Sequence, residues 1–103
     1  MKRDGQCYEL AARFVLLHAG WWLVHGEANG LRPGERVGHA WALSDDEATV
    51  HDVTLARSMP AAQFALEWGG VELNRYSRQQ TISMLATQRN WGPWDEPSVS
   101  AGQ

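Results

Sequence analysis

"VGHAWALSDDEATVHDVT", residues 37–54, alternates in a way that decides the fold. From Val37 to Leu43 large and small side chains alternate, and from Thr49 to Leu55 β-branched residues return. Between them Ser44-Asp45-Asp46-Glu47 is polar. Two period-two segments around a polar turn predict an antiparallel hairpin with one face distinct from the other. If Asp45-Asp46 is a two-residue turn, His39 stands directly opposite Asp52. A four-residue loop puts Thr54 opposite His39 and makes Asp52 its diagonal neighbour on the same face. A three-residue loop puts Asp52 on the wrong face. Val37, Trp41 and Val50 share the face of His39 and are expected to pack on the helix that carries Cys7. Gly38, Ala40, Ala42, His51 and Val53 take the other, so His51 is expected to point away from His39, as a structural or exposed residue.

Working outward, Cys7 to Ala19 has helical periodicity through Cys7, Leu10, Ala11, Phe14, Leu17 and His18. Glu9 and Arg13 are spaced for an i,i+4 pair on the other side. Asp4 is the expected N-cap and Gly20 the expected stop. Trp21 to Glu27 is rich in β formers and predicts a first strand. Asn29-Gly30 and Arg32-Pro33-Gly34 then mark turns. Pro60 to Trp68 predicts a short helix stopped at Gly69-Gly70, and Val71 to Tyr76 a fourth strand. Ser77-Arg78-Gln79-Gln80 fits a capping box that opens a helix to about Arg89. The order is helix, three strands, helix, strand, helix. It predicts an α+β domain over residues 1–90 with a mostly antiparallel sheet of three to four strands, the N-terminal helix packed on it and two further helices. Residues 91–103, with Trp91-Gly92-Pro93-Trp94 and a polar end, are expected to form a C-terminal tail.

The 103 residues are 44% hydrophobic and carry a net charge of −3, which suits one small folded domain. There is no basic patch to suggest nucleic acid and no apolar run long enough to span a bilayer. The first residues lack a signal-peptide h-region, and one cysteine forms no intramolecular disulfide, so a cytoplasmic setting is expected. No cofactor is implied, and the sequence does not define an oligomeric state. Zinc is disfavoured: Cys7, His25, His39 and His51 are ligand types, but no C-x-x-C or H-x-x-x-H spacing occurs.

The single cysteine therefore matters most for chemistry. A buried free cysteine often serves as a small hydrophobe. At a helix N-terminus beside an imidazole it is instead an activated nucleophile. His18, eleven residues on, is about 16 Å along the same helix and out of reach. His25 has no carboxylate on a paired position. His39 has Asp52.

"GQCYELA" at a helix start, "GHAWAL" on a strand and "HDVT" on the next resemble the transglutaminase-like branch of the papain-like cysteine hydrolase superfamily. Members typically show G-Q-C-[WY] or G-x-C before a helix, H-A-W opening one strand and D-x-T on the next. The match runs over Gly5, Gln6, Cys7 and Tyr8, then His39, Ala40 and Trp41, then Asp52 and Thr54, about half the chain. The resemblance implies Cys7 as nucleophile, His39 as general base and acid, and Asp52 as the orienting carboxylate. It implies acyl transfer from an amide or peptide bond: a protease, deamidase or transglutaminase-type activity on a peptide or protein substrate. Only six residues precede Cys7, which leaves no room for the upstream glutamine that papain-type enzymes use in the oxyanion hole. The Cys7 backbone N–H is one expected donor, and the second is expected from the Trp21 or Trp22 indole or the Gln6 side chain. Trp41, Trp91 and Trp94 are expected, with Trp21 and Trp22, to wall the cleft. The alternative is a catalytically degenerate module of the same scaffold that binds a protein partner.

Overall fold

The computed structural model describes residues 6–94, so the expected Asp4 cap and the polar end of the chain lie outside the described residues. The elements are α1 (Gln6–Leu17), β1 (Trp21–Asn29), β2 (Arg36–Ser44), β3 (Thr49–Asp52), β4 (Arg57–Pro60), α2 (Ala61–Trp68), β5 (Val71–Tyr76) and α3 (Arg78–Gln88). The strands form one antiparallel sheet in the order β4-β3-β2-β1-β5. The fold is α+β, an N-terminal helix on a five-stranded antiparallel sheet with three helices in total. No helix among the described residues is long and apolar enough to cross a membrane.

Local chemistry sets most boundaries. The Glu9–Arg13 pair forms at 2.8 Å on α1. The β1–β2 connection closes through Glu35 N–H donating to the Arg32 carbonyl, with Pro33 ahead of Gly34 at φ +80°, the signature of a type II turn. Gly69 ends α2 in the left-handed conformation, its N–H donating to the Phe64 carbonyl. At α3 the Ser77–Gln80 capping box is complete in both directions.

The hairpin at 37–54 takes the four-residue loop: Ala42 pairs with His51 and Leu43 with Val50. Asp46 organises that loop by accepting from the Ser44 hydroxyl at 2.6 Å and the Ala48 N–H at 3.0 Å. The sheet exceeds the expected three to four strands because the third strand does not continue to Leu55. It stops at Asp52, whose Oδ1 accepts the Leu55 N–H (3.1 Å), and the chain returns as β4. Ala56 takes φ +56° in this turn, a role more often given to glycine, so no glycine marks it in the sequence.

The helices divide between the two faces of the sheet, and not as the alternation suggested. Trp41 and Val50 do not pack on α1. They join Val24, Met59 and Phe64 beneath α2, with Trp41 and Phe64 ring centroids 4.8 Å apart. α1 packs Ala11, Ala12 and Val15 on Ala40, Ala42 and Leu23, and α3 adds Met84 and Leu85 from the same side. The reason is steric: a helix with a small-residue face approaches closely where β2 presents only Gly38, Ala40 and Ala42, while the bulky residues need the looser face under the short α2. Trp94 is buried in the α1-side cluster and Trp91 packs against it, so the chain contributes to the core beyond residue 90.

Candidate active site

Cys7 and His39 start from opposite faces of the sheet and converge where β3 gives out. The β2–β3 ladder ends at Ala42, so the part of β2 that carries His39 has an open flank on the β3 side. Cys7 in the first turn of α1, His39 and Asp52 line one cavity of about 490 Å³ at that flank. Gly38 makes the approach possible. A Cβ there would come within 2.6 Å of the Tyr8 hydroxyl, so the absence of a side chain lets the first turn of α1 close on the strand beside His39.

The His39 Nε2–H donates to Asp52 Oδ2 at 2.7 Å. Asp52 is 1% exposed and is fixed at its other oxygen by the Leu55 N–H. It thus holds the imidazole in one orientation, as the diagonal placement on a shared face anticipates. Burial alone would lower the pKa of His39. The hydrogen bond to Asp52, the interaction with Cys7 and the charges of both outweigh it and raise the value to about 9. With Nε2 committed to Asp52, Nδ1 is the ring nitrogen left for Cys7. Cys7 itself is buried, at 5% exposure, and its backbone N–H lies in the turn where a helix leaves its donors without intrahelical acceptors.

The other candidates are not brought together with these three. His39 pairs with Gly26 across the β1–β2 ladder, while Trp21 pairs with Ser44 and Trp22 with Leu43. Trp21 and Trp22 are therefore about 17 and 14 Å further along the sheet, too far to donate at Cys7. Trp21 packs on Phe14, and Trp22 lies under the Arg75 guanidinium. Gln6 is exposed at the first residue of α1 and is not part of the cavity wall. Trp41 is buried 5.9 Å from the His39 ring as a packing floor, also outside the wall. Trp91 stacks under Arg13, and Trp94 packs against His25 and Tyr76. The tryptophan that does line the cavity is Trp68, at the end of α2. Its indole Nε1 and the Thr54 hydroxyl are buried without hydrogen-bond partners among the described residues. The sequence signal for Trp68 was weak, because only the pairing of β4 with β3 folds α2 over this flank.

His51 points to the α1 face, where it stacks on Phe14 and bonds the Ser58 hydroxyl at 2.7 Å. His18 stacks on the same Phe14. Among the described residues no cluster of three or more His, Cys, Asp or Glu is arranged to hold a metal ion. No protein-family model, curated protein or solved structure matches the chain.

Proposed function

We propose that the protein is a cysteine-dependent acyl-transfer enzyme on a minimal papain-like, transglutaminase-like core, acting on an amide or peptide bond. The observation that carries this reading is the 2.7 Å His39–Asp52 hydrogen bond beside the helix-N-terminal Cys7 on one cavity. A pKa of about 9 keeps His39 protonated at neutral pH, the state that pairs with a thiolate.

In the first step the Cys7 thiolate attacks the amide carbonyl carbon, and the C–S bond forms as the carbonyl π pair moves to oxygen. The Cys7 backbone N–H, at the positive end of α1, faces the developing oxyanion. Collapse breaks the C–N bond, and the His39 imidazolium gives its proton to the departing amine or ammonia. His39, now neutral and held by Asp52, takes a proton from water as that water attacks the thioester. Collapse of this second intermediate breaks the C–S bond, its electron pair returns to sulfur, the acid leaves, and the Cys7 thiolate–His39 imidazolium pair is restored. Hydrolysis needs no second substrate and is the simplest outcome.

Alkylation by iodoacetamide at pH 7 tests the reading. Native Cys7 should react at least about tenfold faster than the unfolded chain. The rate should fall by a similar factor in His39→Ala, and labelling should vanish in Cys7→Ala. A thiol that reacts only on denaturation, or a rate indifferent to His39, overturns the proposal.

A further inference from the structure

We infer that this cavity takes an acyl group with an uncharged, apolar side chain and discriminates against an acidic one. The inference rests on the proposed function only for calling the occupant an acyl group. The wall away from Cys7 is built by Leu31 and Val37 from the β1–β2 end, Leu55 from the β3–β4 turn, and Phe64 and Trp68 from α2. Phe64 is buried and fixed against Trp41. Val37 and Leu31 are respectively 39% and 102% exposed, so apolar surface continues from the wall to the rim.

The position of Trp68 is held by a tie across the fold. Arg36 donates to Asn29 Oδ1 at 3.0 Å and to the Gly69 carbonyl at 2.7 Å, joining the end of α2 to the β1–β2 end of the sheet. The tie also occupies the Arg36 guanidinium. Among the described residues the charged groups on the wall are the His39–Asp52 pair and Glu35, which accepts the Arg32 N–H. An acidic side chain entering here meets Glu35 and finds no unpaired cation among the described residues of the wall, whereas an aromatic or branched aliphatic one meets carbon. The volume of about 490 Å³ accommodates such a side chain together with its amide.

Equilibrium binding to Cys7→Ala, followed by NMR, tests this without requiring turnover. The probes are 3-phenylpropanamide and succinamate, which share an amide and differ in an apolar against an anionic end. The phenyl compound should bind at least about tenfold tighter and shift the Trp68 indole resonance. Val37→Lys, at a half-exposed wall position, should narrow that ratio by at least about threefold by accommodating succinamate. Equal affinities, no detectable binding of either probe, or shifts confined to residues away from Trp68 and His39 overturn the inference. Iodoacetamide reactivity of the native protein reads the functional proposal separately, so the two fail independently.

Discussion

His25 and His39 sit one rung apart on neighbouring strands, on opposite faces of the sheet, and burial acts on both. His25 faces α1, boxed by Tyr8, Tyr76 and Trp94 with ring centroids 4.9 to 5.1 Å away, and neither ring nitrogen has a hydrogen-bond partner among the described residues. Its pKa falls to about 4 because desolvation is unopposed. His39 faces the cavity, has Asp52 at 2.7 Å and rises to about 9. Burial does not make a histidine functional. One carboxylate on the same face, at the end of the neighbouring strand β3, separates a neutral packing ring from a protonated acid.

The comparison breaks most severely if Asp52 is removed. In Asp52→Ala, His39 keeps its burial and its interaction with Cys7 but loses Asp52, the first of its raising partners, so its pKa should drop well below 9. Amide turnover should fall by about 10³-fold, by loss of both orientation and the imidazolium. An NMR titration of His39 checks the first expectation and kcat/KM the second. A His39 pKa that stays near 9 would mean that Cys7 alone holds it up.

The two histidines should also give stability opposite pH limbs. For His25 the folded pKa lies below the unfolded value of 6.5, so the unfolded chain takes the proton first. Its contribution is complete above pH 6.5 and is lost as pH falls through about 4, a change of about 3 kcal/mol. For His39 the folded pKa lies above the unfolded value. Its contribution is complete below pH 6.5 and is lost as pH rises through about 9. Urea denaturation between pH 4 and 9 should therefore show a maximum near pH 6.5. His25→Phe should flatten the acid limb and leave the alkaline one. Activity, which needs the His39 imidazolium as acid, should descend on the alkaline side with a midpoint near pH 9.

Gly38 sharpens the contrast at smaller scale, since it serves the His39 side by being empty on the His25 side. In Gly38→Ala the new methyl meets the Tyr8 hydroxyl at 2.6 Å, and the first turn of α1 must shift with Cys7 on it. We expect about a tenfold loss of Cys7 alkylation rate with about 1–2 kcal/mol of destabilisation. Because the clash is with the hydroxyl, and the ring carbon that bears it is 3.9 Å away, adding Tyr8→Phe should restore most of the rate. Failure of that rescue would place the cost in β2 itself.

How far the sequence reaches follows from what sets each feature. The ends of α2 and α3, the turn at Arg32-Pro33-Gly34, the capping box and the His39–Asp52 face were legible because residues within a few positions decide them. The face that receives α1 was not: alternation says that β2 has two faces, but which one takes the helix depends on the fit between Ala11-Ala12 and Ala40-Ala42, far apart in the chain. The β3–β4 turn was missed for a local reason, since Val53-Thr54-Leu55 reads as strand and Ala56 supplies the positive φ without a glycine. That turn carries α2 over the cavity, so missing it also hid Phe64 and Trp68.

The smallest expected effect concerns the tryptophans that composition alone put forward. Trp21 and Trp22 lie near the Ser44 end of the β1–β2 ladder, and His39 pairs at Gly26. Trp22→Phe should cost some stability by loosening the contact with Arg75 and leave the Cys7 alkylation rate within about twofold of the native value, since no atom of the site touches it. Trp68→Ala alters the cavity wall itself and should lower the affinity for 3-phenylpropanamide severalfold while leaving the His39–Asp52 pair, and hence the alkaline limb near pH 9, in place. A larger effect from Trp22 than from Trp68 would mean that the cavity opens toward the other end of the sheet when substrate binds.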